Sequence, residues 1–246
     1  MRLDVKIKSA GYRKKIVLEN INFTIPKNSF TAVIGRNGSG KSTLLAAMAS
    51  LITFEGEIFL DSTDITALSR RERAMRVSAM LQSPKRPHVT VRELVEFGRS
   101  PYLGFGKRFS ESDRAVVNDA IEKTHIAELV DSHADRISGG ELRRAYFAMM
   151  LAQDSELVLL DEPTAFMDAD YEREFFDLSK QLSETKNVIT VMHNLNVALS
   201  YADNVLLLDK GRQVFFGSPD VLLKTDLIET IFSVKRFFVD GKTFFV

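Results

Sequence analysis

The nine residues 35–43, GRNGSGKST, constrain the fold of this chain more than any other stretch. They follow an apolar run at residues 30–34 and precede apolar residues at helical spacing, so they predict a strand, a glycine-rich loop and a helix in that order. Glycines let the main chain curl until successive N–H groups point inward around a polyphosphate, and the helix adds its free amides and positive dipole end. We therefore expect a nucleoside triphosphate to lie against Gly35, Arg36, Asn37, Gly38, Ser39, Gly40, Lys41, Ser42 and Thr43.

Charged groups suited to that triphosphate occur at two places. The Lys41 ammonium neutralises the β- and γ-phosphate oxygens, and the Ser42 hydroxyl can ligate Mg²⁺. Four aliphatic residues at 157–160 are followed by Asp161 and Glu162, and a buried parallel strand delivers such carboxylates to the edge of the sheet where ligands bind. Asp161 suits the Mg²⁺ shell, and Glu162 suits the base that activates the attacking water.

Composition excludes several kinds of partner and site. The chain has 246 residues, and its 33 lysines and arginines balance its 33 aspartates and glutamates, so no net charge attracts nucleic acid. It contains no cysteine, which excludes disulfides and thiolate metal sites. No apolar run approaches the roughly 20 residues that span a bilayer, and the N-terminus alternates like a strand rather than a signal peptide. We expect a cytoplasmic protein that only a partner could hold at a membrane.

Hydrophobic patterning divides the chain into an α/β core and an insert. The first part predicts short strands, and helix signals replace strand signals between residues 70 and 136. Two of these helices begin at capping boxes, Thr90 with Glu93 and Ser110 with Asp113. Residues 98–106 are typical of a loop, and residues 218–219 predict the start of a helix that runs to about Phe232. We expect one domain over residues 1–246, with a mostly helical insert at about 84–156.

Residues 137–141, ISGGE, indicate a second anion site. The Ser138 hydroxyl and the amides of Gly139 and Gly140 would stand at the N-terminus of a helix, where backbone donors and the dipole favour negative charge. A plain helix N-cap is the alternative for such a sequence taken alone. Since the first glycine-rich loop already holds a triphosphate, the second site needs another explanation.

The order of these motifs resembles that of the ATP-binding subunits of ABC transporters over nearly the whole chain. Residues 35–43 are similar to Walker A, residues 157–162 to Walker B, and residues 137–141 to the family's LSGGQ signature. Four single residues also align with functional positions of the family. Tyr12 aligns with the aromatic residue that stacks on adenine, and Gln82 aligns with the Q-loop glutamine. Asp168 aligns with the D-loop aspartate, and His193 aligns with the switch histidine. The likeness implies a P-loop NTPase core of the ABC ATPase type, with an N-terminal antiparallel β-subdomain and a helical insert.

This resemblance accounts for the second anion site. Two subunits of the family pair head to tail, so the signature of one copy faces the γ-phosphate held by the other copy; here the signature residues are Ser138, Gly139, Gly140 and Glu141. Gln82 would sense Mg²⁺, which Ser42 and Asp161 also ligate, and His193 would contact the γ-phosphate. The resemblance thus implies an ATPase with ATP and Mg²⁺ as cofactors.

The resemblance also implies partners and a location. The chain would form a homodimer, bind two transmembrane permease subunits and serve, indirectly, an extracytoplasmic substrate-binding protein. It would lie on the cytoplasmic face of the cell membrane as a peripheral subunit. No nucleic acid is among the expected partners.

A narrower likeness bears on the cargo. Residues 96–102 with 110–113, and residues 193–196 with 201–203, resemble the importers of iron–siderophores, haem and cobalamin. They favour uptake of an iron–siderophore or a related chelate. An exporter or a lipid-transport ATPase would carry the same motifs with another permease. A soluble ABC ATPase, such as an iron–sulfur assembly factor, would need no permease.

One residue departs from the family pattern, and three histidines lie outside it. Glu141 replaces the usual glutamine of the signature, and because its carboxylate would lie near a phosphate we expect it to turn away and cap the helix. Three histidines, His88, His125 and His133, lack the sequence spacing of metal ligands and are expected to be structural or exposed.

Overall fold

A six-stranded sheet, which is parallel except at one edge, organises the fold. The computed structural model describes residues 1–13, 15–82, 85–103, 108–165, 167–239 and 242–246. The strands are β1 (Leu3–Tyr12), β2 (Lys15–Ile25), β3 (Ser29–Ile34), β4 (Phe54–Leu60), β5 (Thr63–Asp64), β6 (Val77–Met80), β7 (Leu157–Asp161), β8 (Asn187–Val191), β9 (Asn204–Asp209), β10 (Arg212–Gly217), β11 (Arg236–Val239) and β12 (Lys242–Phe245). The α-helices are α1 (Lys41–Met48), α2 (Arg70–Arg76), α3 (Val91–Glu96), α4 (Glu111–Lys123), α5 (Gly139–Gln153), α6 (Ala169–Leu182), α7 (Leu195–Tyr201), α8 (Pro219–Leu222) and α9 (Leu227–Phe232). The expected α/β class is confirmed.

The strand order of the main sheet gathers the predicted motifs at one edge. The order is β10-β9-β3-β8-β7-β6, in which only the β9–β10 hairpin is antiparallel. Every residue of β3 is buried, as its continuous apolar sequence requires for a strand covered on both faces. Val33 and Asp161 both pair with Val191, so β3, β8 and β7 end side by side. Ligands bind at this carboxyl edge in α/β sheets.

Two hydrophobic cores cover the faces of the main sheet. On one face α1 is buried against a second, antiparallel sheet of order β2-β1-β4-β5. On the other face α6, α7 and the C-terminal helices pack on β3, β7 and β9. The alternation of Leu3, Val5 and Ile7 therefore places these side chains, each no more than 1% exposed, in the first core.

The helices between β6 and β7 pack mainly on one another. Residues of α3, α4 and α5, including Val91, Val117 and Ala145, form a third buried cluster. Both predicted capping boxes are confirmed, because Thr90 and Ser110 accept hydrogen bonds from the N3 amides while the N3 carboxylates accept from the N-cap amides. None of the helices among the described residues is both long and apolar enough to cross a membrane.

Two expectations between residues 70 and 106 were wrong. Strand β6 lies where only helices were expected, because pairing with the distant β7 gives four residues a strand that their own pattern does not indicate. A 3₁₀ helix at Phe97–Tyr102 occupies the start of the expected loop, pressed so closely on α5 that a Cβ at Gly98 would lie 2.2 Å from the Met149 carbonyl oxygen. Residues 104–106 of that loop lie outside the described residues.

The helix expected from Ser218 to Phe232 is divided into α8 and α9, and the Ser218 side chain makes no cap hydrogen bond. Arg236, on β11, donates to the carbonyl oxygens of Leu223 and Thr225, each at 2.6 Å. These carbonyls lie between the two helices, so a remote arginine satisfies groups that a continuous helix would bond internally.

Candidate nucleotide site

The glycine-rich loop takes the conformation that its sequence predicts. It leaves β3 at Gly35 and enters α1 after Gly40, with φ of +155° and +101° at these two glycines. A Cβ would lie 2.3 Å from the Leu208 carbonyl oxygen at Gly35 and 2.5 Å from Leu18 Cδ2 at Gly40. Both backbone conformation and space therefore require glycine, and the loop is held against the β9 and β2 strands.

Lys41 is folded back onto the loop. Its Nζ donates to the carbonyl oxygens of Gly35 at 2.8 Å and Arg36 at 3.2 Å, and the residue is only 6% exposed. Burial lowers the pKa of Lys41, and the nearby Glu162 and Asp161 carboxylates raise it by a smaller amount. An anion that replaced these two neutral carbonyls would relieve the cost of the buried charge.

Asp161 lies at the end of β7, within reach of the loop. It is 2% exposed, and the Ser42 hydroxyl donates to its Oδ1 at 3.2 Å. Burial raises the pKa of Asp161 and the neighbouring Glu162 charge adds to that rise, whereas the Ser42 hydrogen bond lowers it. Such a carboxylate gains from any nearby cation.

Glu162, the next residue, is bonded at both carboxylate oxygens. Its Oε1 lies 2.5 Å from His193 Nε2, and its Oε2 accepts from Gln82 Nε2 at 2.7 Å. Burial alone raises the pKa of Glu162, but the hydrogen bonds of His193 and Gln82 outweigh it and the pKa is lowered. The backbone at Glu162 is left-handed, with φ of +51°. The structure thus brings together the expected base Glu162, the expected Mg²⁺ sensor Gln82 and the expected γ-phosphate contact His193.

One open cavity of about 380 Å³ contains most of these groups. Its lining consists of Val17, Asn37, Gly38, Gly40, Lys41, Ser42, Thr43, Gln82, Glu162 and His193. Among the other loop residues, Gly35 and Arg36 provide the carbonyls that bond Lys41. Ser39 Oγ is buried without a hydrogen-bond partner in the described part of the chain.

The signature residues lie in a different cavity. Ser138, Gly139, Gly140 and Glu141 line a space of about 370 Å³ with Arg144, Met167, Asp168 and Tyr171. Ser138 is the N-cap of α5, and Glu141 Oε2 accepts from the Ser138 amide at 2.8 Å, so the expected capping role of Glu141 is confirmed. Asp168 similarly caps α6 by accepting from the Tyr171 amide at 3.0 Å. Phe166 of the same loop lies outside the described residues.

Tyr12 is not brought together with the glycine-rich loop. It ends β1, is 50% exposed, and lines a separate cavity of about 580 Å³ between the β1–β2 hairpin and residues 52–55. In that position the ring is open to a planar ligand, and among the described residues the cavity that it lines shares no lining residue with the Lys41 cavity.

Sequence reasoning missed Arg143, which connects three parts of the site. This α5 residue is 4% exposed and donates to the carbonyl oxygens of Gln82 at 2.8 Å and Glu162 at 3.0 Å. The sequence pattern could have indicated that Arg143 is buried, because it lies at helical spacing from the buried Phe147 and Met150. An arginine at such a position needs buried acceptors, and here they are backbone carbonyls of the two segments that carry Gln82 and Glu162.

Comparison with known proteins identifies one family. Residues 18–165 match a family model described as ABC transporter. A probable siderophore transport system ATP-binding protein of Bacillus subtilis is 36% identical over 92% of this chain and 84% of its own length. A petrobactin import ATP-binding protein of Bacillus anthracis is 35% identical over 95% of this chain and 87% of its own length. A ferric enterobactin transport ATP-binding protein of Escherichia coli is 37% identical over 94% of this chain and 86% of its own length.

Solved structures share the fold. A chain from an inward-facing ABC transporter described as of the metal-chelate type superposes with a TM-score of 0.81 at 24% identity, covering 99% of this chain and 96% of that chain. An ATP-binding cassette of an ABC transporter in its ADP conformation superposes with a TM-score of 0.78 at 20% identity, covering 95% of this chain and 99% of that chain. At these identities the likeness supports the fold alone.

Proposed function

The chain belongs to the ABC transporter family as an ATP-binding and ATP-hydrolysing subunit that works with a membrane permease, and on that premise we propose that two copies close head to tail around MgATP to power import of an iron–siderophore or a related chelate. The observation that carries the proposal is that each chain has two separate cavities, one lined by the glycine-rich loop and the other by the signature residues. The whole chain is then one ATP-binding domain, in which the helices at about 84–156 form the subdomain that bears the signature.

The separation of these two surfaces supports a dimer. The cavity around Lys41 and the cavity around Ser138 have no lining residue in common among those described. A γ-phosphate held by Lys41 of one copy would complete its shell with Ser138 and Gly139 of the other copy. Because such a phosphate contacts both chains only when they are closed, ATP would bind the closed dimer better than separate subunits, as a ligand-driven switch requires.

Residues at the carboxyl edge of the main sheet fit Mg²⁺. This ion prefers oxygen ligands at octahedral positions and keeps several waters. Ser42 Oγ and Asp161 Oδ1 lie 3.2 Å apart, near the roughly 3 Å between neighbouring ligands of an octahedral ion. We assign Ser42, Asp161 and Gln82 to Mg²⁺, which would supply neutralisation of charge between the β- and γ-phosphates.

Two side chains must change partners before hydrolysis. Lys41 would exchange the carbonyl oxygens of Gly35 and Arg36 for phosphate oxygens. Glu162, whose lowered pKa keeps it ionised at neutral pH, would turn one carboxylate oxygen from Gln82 or His193 to the attacking water and accept its proton. His193 would then contact the γ-phosphate, and Tyr12 would stack on the adenine.

The cargo and location follow from the relatives' names. Three relatives that match more than nine-tenths of this chain have names that state siderophore, petrobactin or ferric enterobactin transport. By the same reasoning the chain would lie on the cytoplasmic face of the membrane, in contact with two permease subunits. An extracytoplasmic binding protein would choose the chelate on the other side.

Reconstitution of the native complex tests the cargo. The complex would be isolated from solubilised membranes, its membrane subunits identified, and the assembly placed in proteoliposomes with ATP inside and the extracytoplasmic binding protein outside. We expect ATP-dependent uptake of a radiolabelled iron–siderophore, and none in the Glu162→Gln complex, because that variant lacks the proposed base. Recovery of an exporter or lipid permease, or of no membrane subunit at all, would overturn the assignment to iron import.

Complementation between two inactive variants tests the head-to-tail dimer. Lys41→Ala removes the loop cation, and Gly139→Asp adds a carboxylate beside the γ-phosphate of the other copy. Among the described residues, the atom within 4 Å of a Cβ at Gly139 is Arg86 Nη2, at 3.9 Å, so the fold tolerates the change. We expect each variant alone to be inactive and an equal mixture to regain about a quarter of wild-type turnover, since half of the dimers are mixed and each has one intact site.

The neutral variant Gly139→Asn is the matched control for Gly139→Asp, because it has nearly the same size without the charge. We expect it to keep much more activity. If the signature acted within its own chain, the mixture would stay inactive, since neither chain would have an intact pair of elements.

A further inference from the structure

Two histidines and an aspartate come together on the helical subdomain, although their sequence spacing does not suggest it. His88 Nδ1 lies 2.9 Å from Asp135 Oδ2, across 47 residues of sequence. The rings of His88 and His133 stack with centroids 4.6 Å apart and planes inclined by 20°. One ligand atom from each of the three residues lies within 4.8 Å of the others. The expectation that His88 and His133 are merely structural or exposed therefore omits their common position.

The backbone holds these residues in place. Thr90 and His133 form an isolated β-bridge, flanked by hydrogen bonds from the Val91 amide to the Ser132 carbonyl and from the Ala134 amide to the Val89 carbonyl, at 2.9 and 2.8 Å. The two segments that carry the cluster are thus fixed to each other without the side chains. The His–Asp contact does not have to supply that connection.

Two atoms of the cluster lack partners. His133 Nδ1 and Asp135 Oδ1 are buried and have no hydrogen-bond partner within the described ranges of the chain. Buried polar atoms are paired in the great majority of cases, and here two in one cluster are available to a ligand. The His88 side chain is 70% exposed, which gives an ion access and lets the ring pivot.

We propose that His88, His133 and Asp135 bind one divalent transition-metal ion. Two imidazoles and a carboxylate suit Zn²⁺, Fe²⁺ and related ions, which accept mixed nitrogen and oxygen ligands, whereas Mg²⁺ and Ca²⁺ prefer oxygen alone. The site shares no residue with the proposed Mg²⁺ ligands Ser42, Gln82 and Asp161.

An ion at this position would join two functional segments. Residues 85–88 follow Gln82, and residues 133–137 lead to Ser138. Arg86 Nη1 already donates to the Ile137 carbonyl oxygen at 2.7 Å, so the two segments touch beside the cluster. The metal would add a further connection between the Mg²⁺-sensing segment and the signature.

Histidine NMR of untagged protein tests the site, since the chain contains only four histidines. Ring ¹H–¹⁵N spectra would be recorded without nucleotide, with excess Mg²⁺ to occupy oxygen sites, while Zn²⁺ is added. We expect the ring nitrogens of His88 and His133 to shift together at one equivalent, and those of His125 and His193 to stay. Absence of shifts, or shifts at His193 or His125 instead, would overturn the proposal.

Three variants locate the ligands by calorimetric titration with Zn²⁺. We expect His88→Ala and Asp135→Asn each to weaken Zn²⁺ binding at least about tenfold, the lower end of the loss seen when even an outer-shell partner of a metal is removed. His125→Ala removes an exposed histidine outside the cluster and should leave the affinity unchanged. Equal affinity in all three variants would show nonspecific binding only and contradict the assignment. Neither result depends on the proposed transport function.

Discussion

Glu162→Gln is expected to lower the rate of ATP hydrolysis by about three orders of magnitude while leaving ATP affinity intact, because a positioned general base contributes roughly 10²–10⁴-fold. Glutamine has nearly the same shape as glutamate, but it cannot take a proton from the attacking water. Bound ATP would then persist in the closed dimer. Single-turnover phosphate release gives the rate, and light scattering in MgATP should show a species of twice the 27.7 kDa chain mass.

The control for this variant is Glu128→Gln, which makes the same change at an exposed carboxylate in the short 3₁₀ helix Ala127–Leu129. It should hydrolyse ATP at the wild-type rate and dissociate after turnover. Normal turnover in Glu162→Gln would remove Glu162 from the role of base. Loss of turnover without accumulation of the dimer would instead contradict the proposed link between hydrolysis and opening.

Lys41→Ala is expected to weaken ATP binding by about 100-fold or more. Each hydrogen bond to a charged group contributes about 1.5–3 kcal/mol, and Lys41 is placed to make such bonds to two phosphates. Without the ammonium group, the carboxylates Asp161 and Glu162 would also repel the triphosphate. Equilibrium binding of a fluorescent ATP analogue, measured with and without Mg²⁺, gives the affinity.

Lys27→Ala is the control for charge, because Lys27 is an exposed lysine in the turn before β3. Lys41→Met keeps the buried aliphatic stem, so a fold defect caused by lost packing would spare this variant and a binding defect would not. Unchanged ATP affinity in both Lys41 variants would refute the assignment of the glycine-rich loop to the triphosphate.

Local features were predictable because each depends on a few neighbouring residues. The left-handed glycines at Gly35 and Gly40 are required by the loop itself. The capping boxes Thr90–Glu93 and Ser138–Glu141 need only three residues of spacing and a helix that follows. The buried strand ahead of Asp161 could likewise be read from its four aliphatic residues, because a run without alternation fits a strand covered on both faces.

Features formed by distant segments could not be predicted in this way. Strand β6 exists through pairing with β7, and the division of α8 from α9 accompanies hydrogen bonds from Arg236. Arg143 has a role only because the carbonyls of Gln82 and Glu162 meet at its side chain. The histidine cluster depends on a β-bridge between Thr90 and His133, and no spacing rule covers such a contact.

The sequence by itself determined the local form of the glycine-rich loop, the acidic strand end and the signature, because backbone conformation and residue type specify each of these within a few positions. Only the tertiary structure decided which groups share a cavity. Sheet pairing of β3, β7 and β8 brings Lys41, Glu162 and His193 to one edge, whereas Ser138 lies in another cavity. That division depends on packing between segments far apart in the chain, which local patterns do not encode.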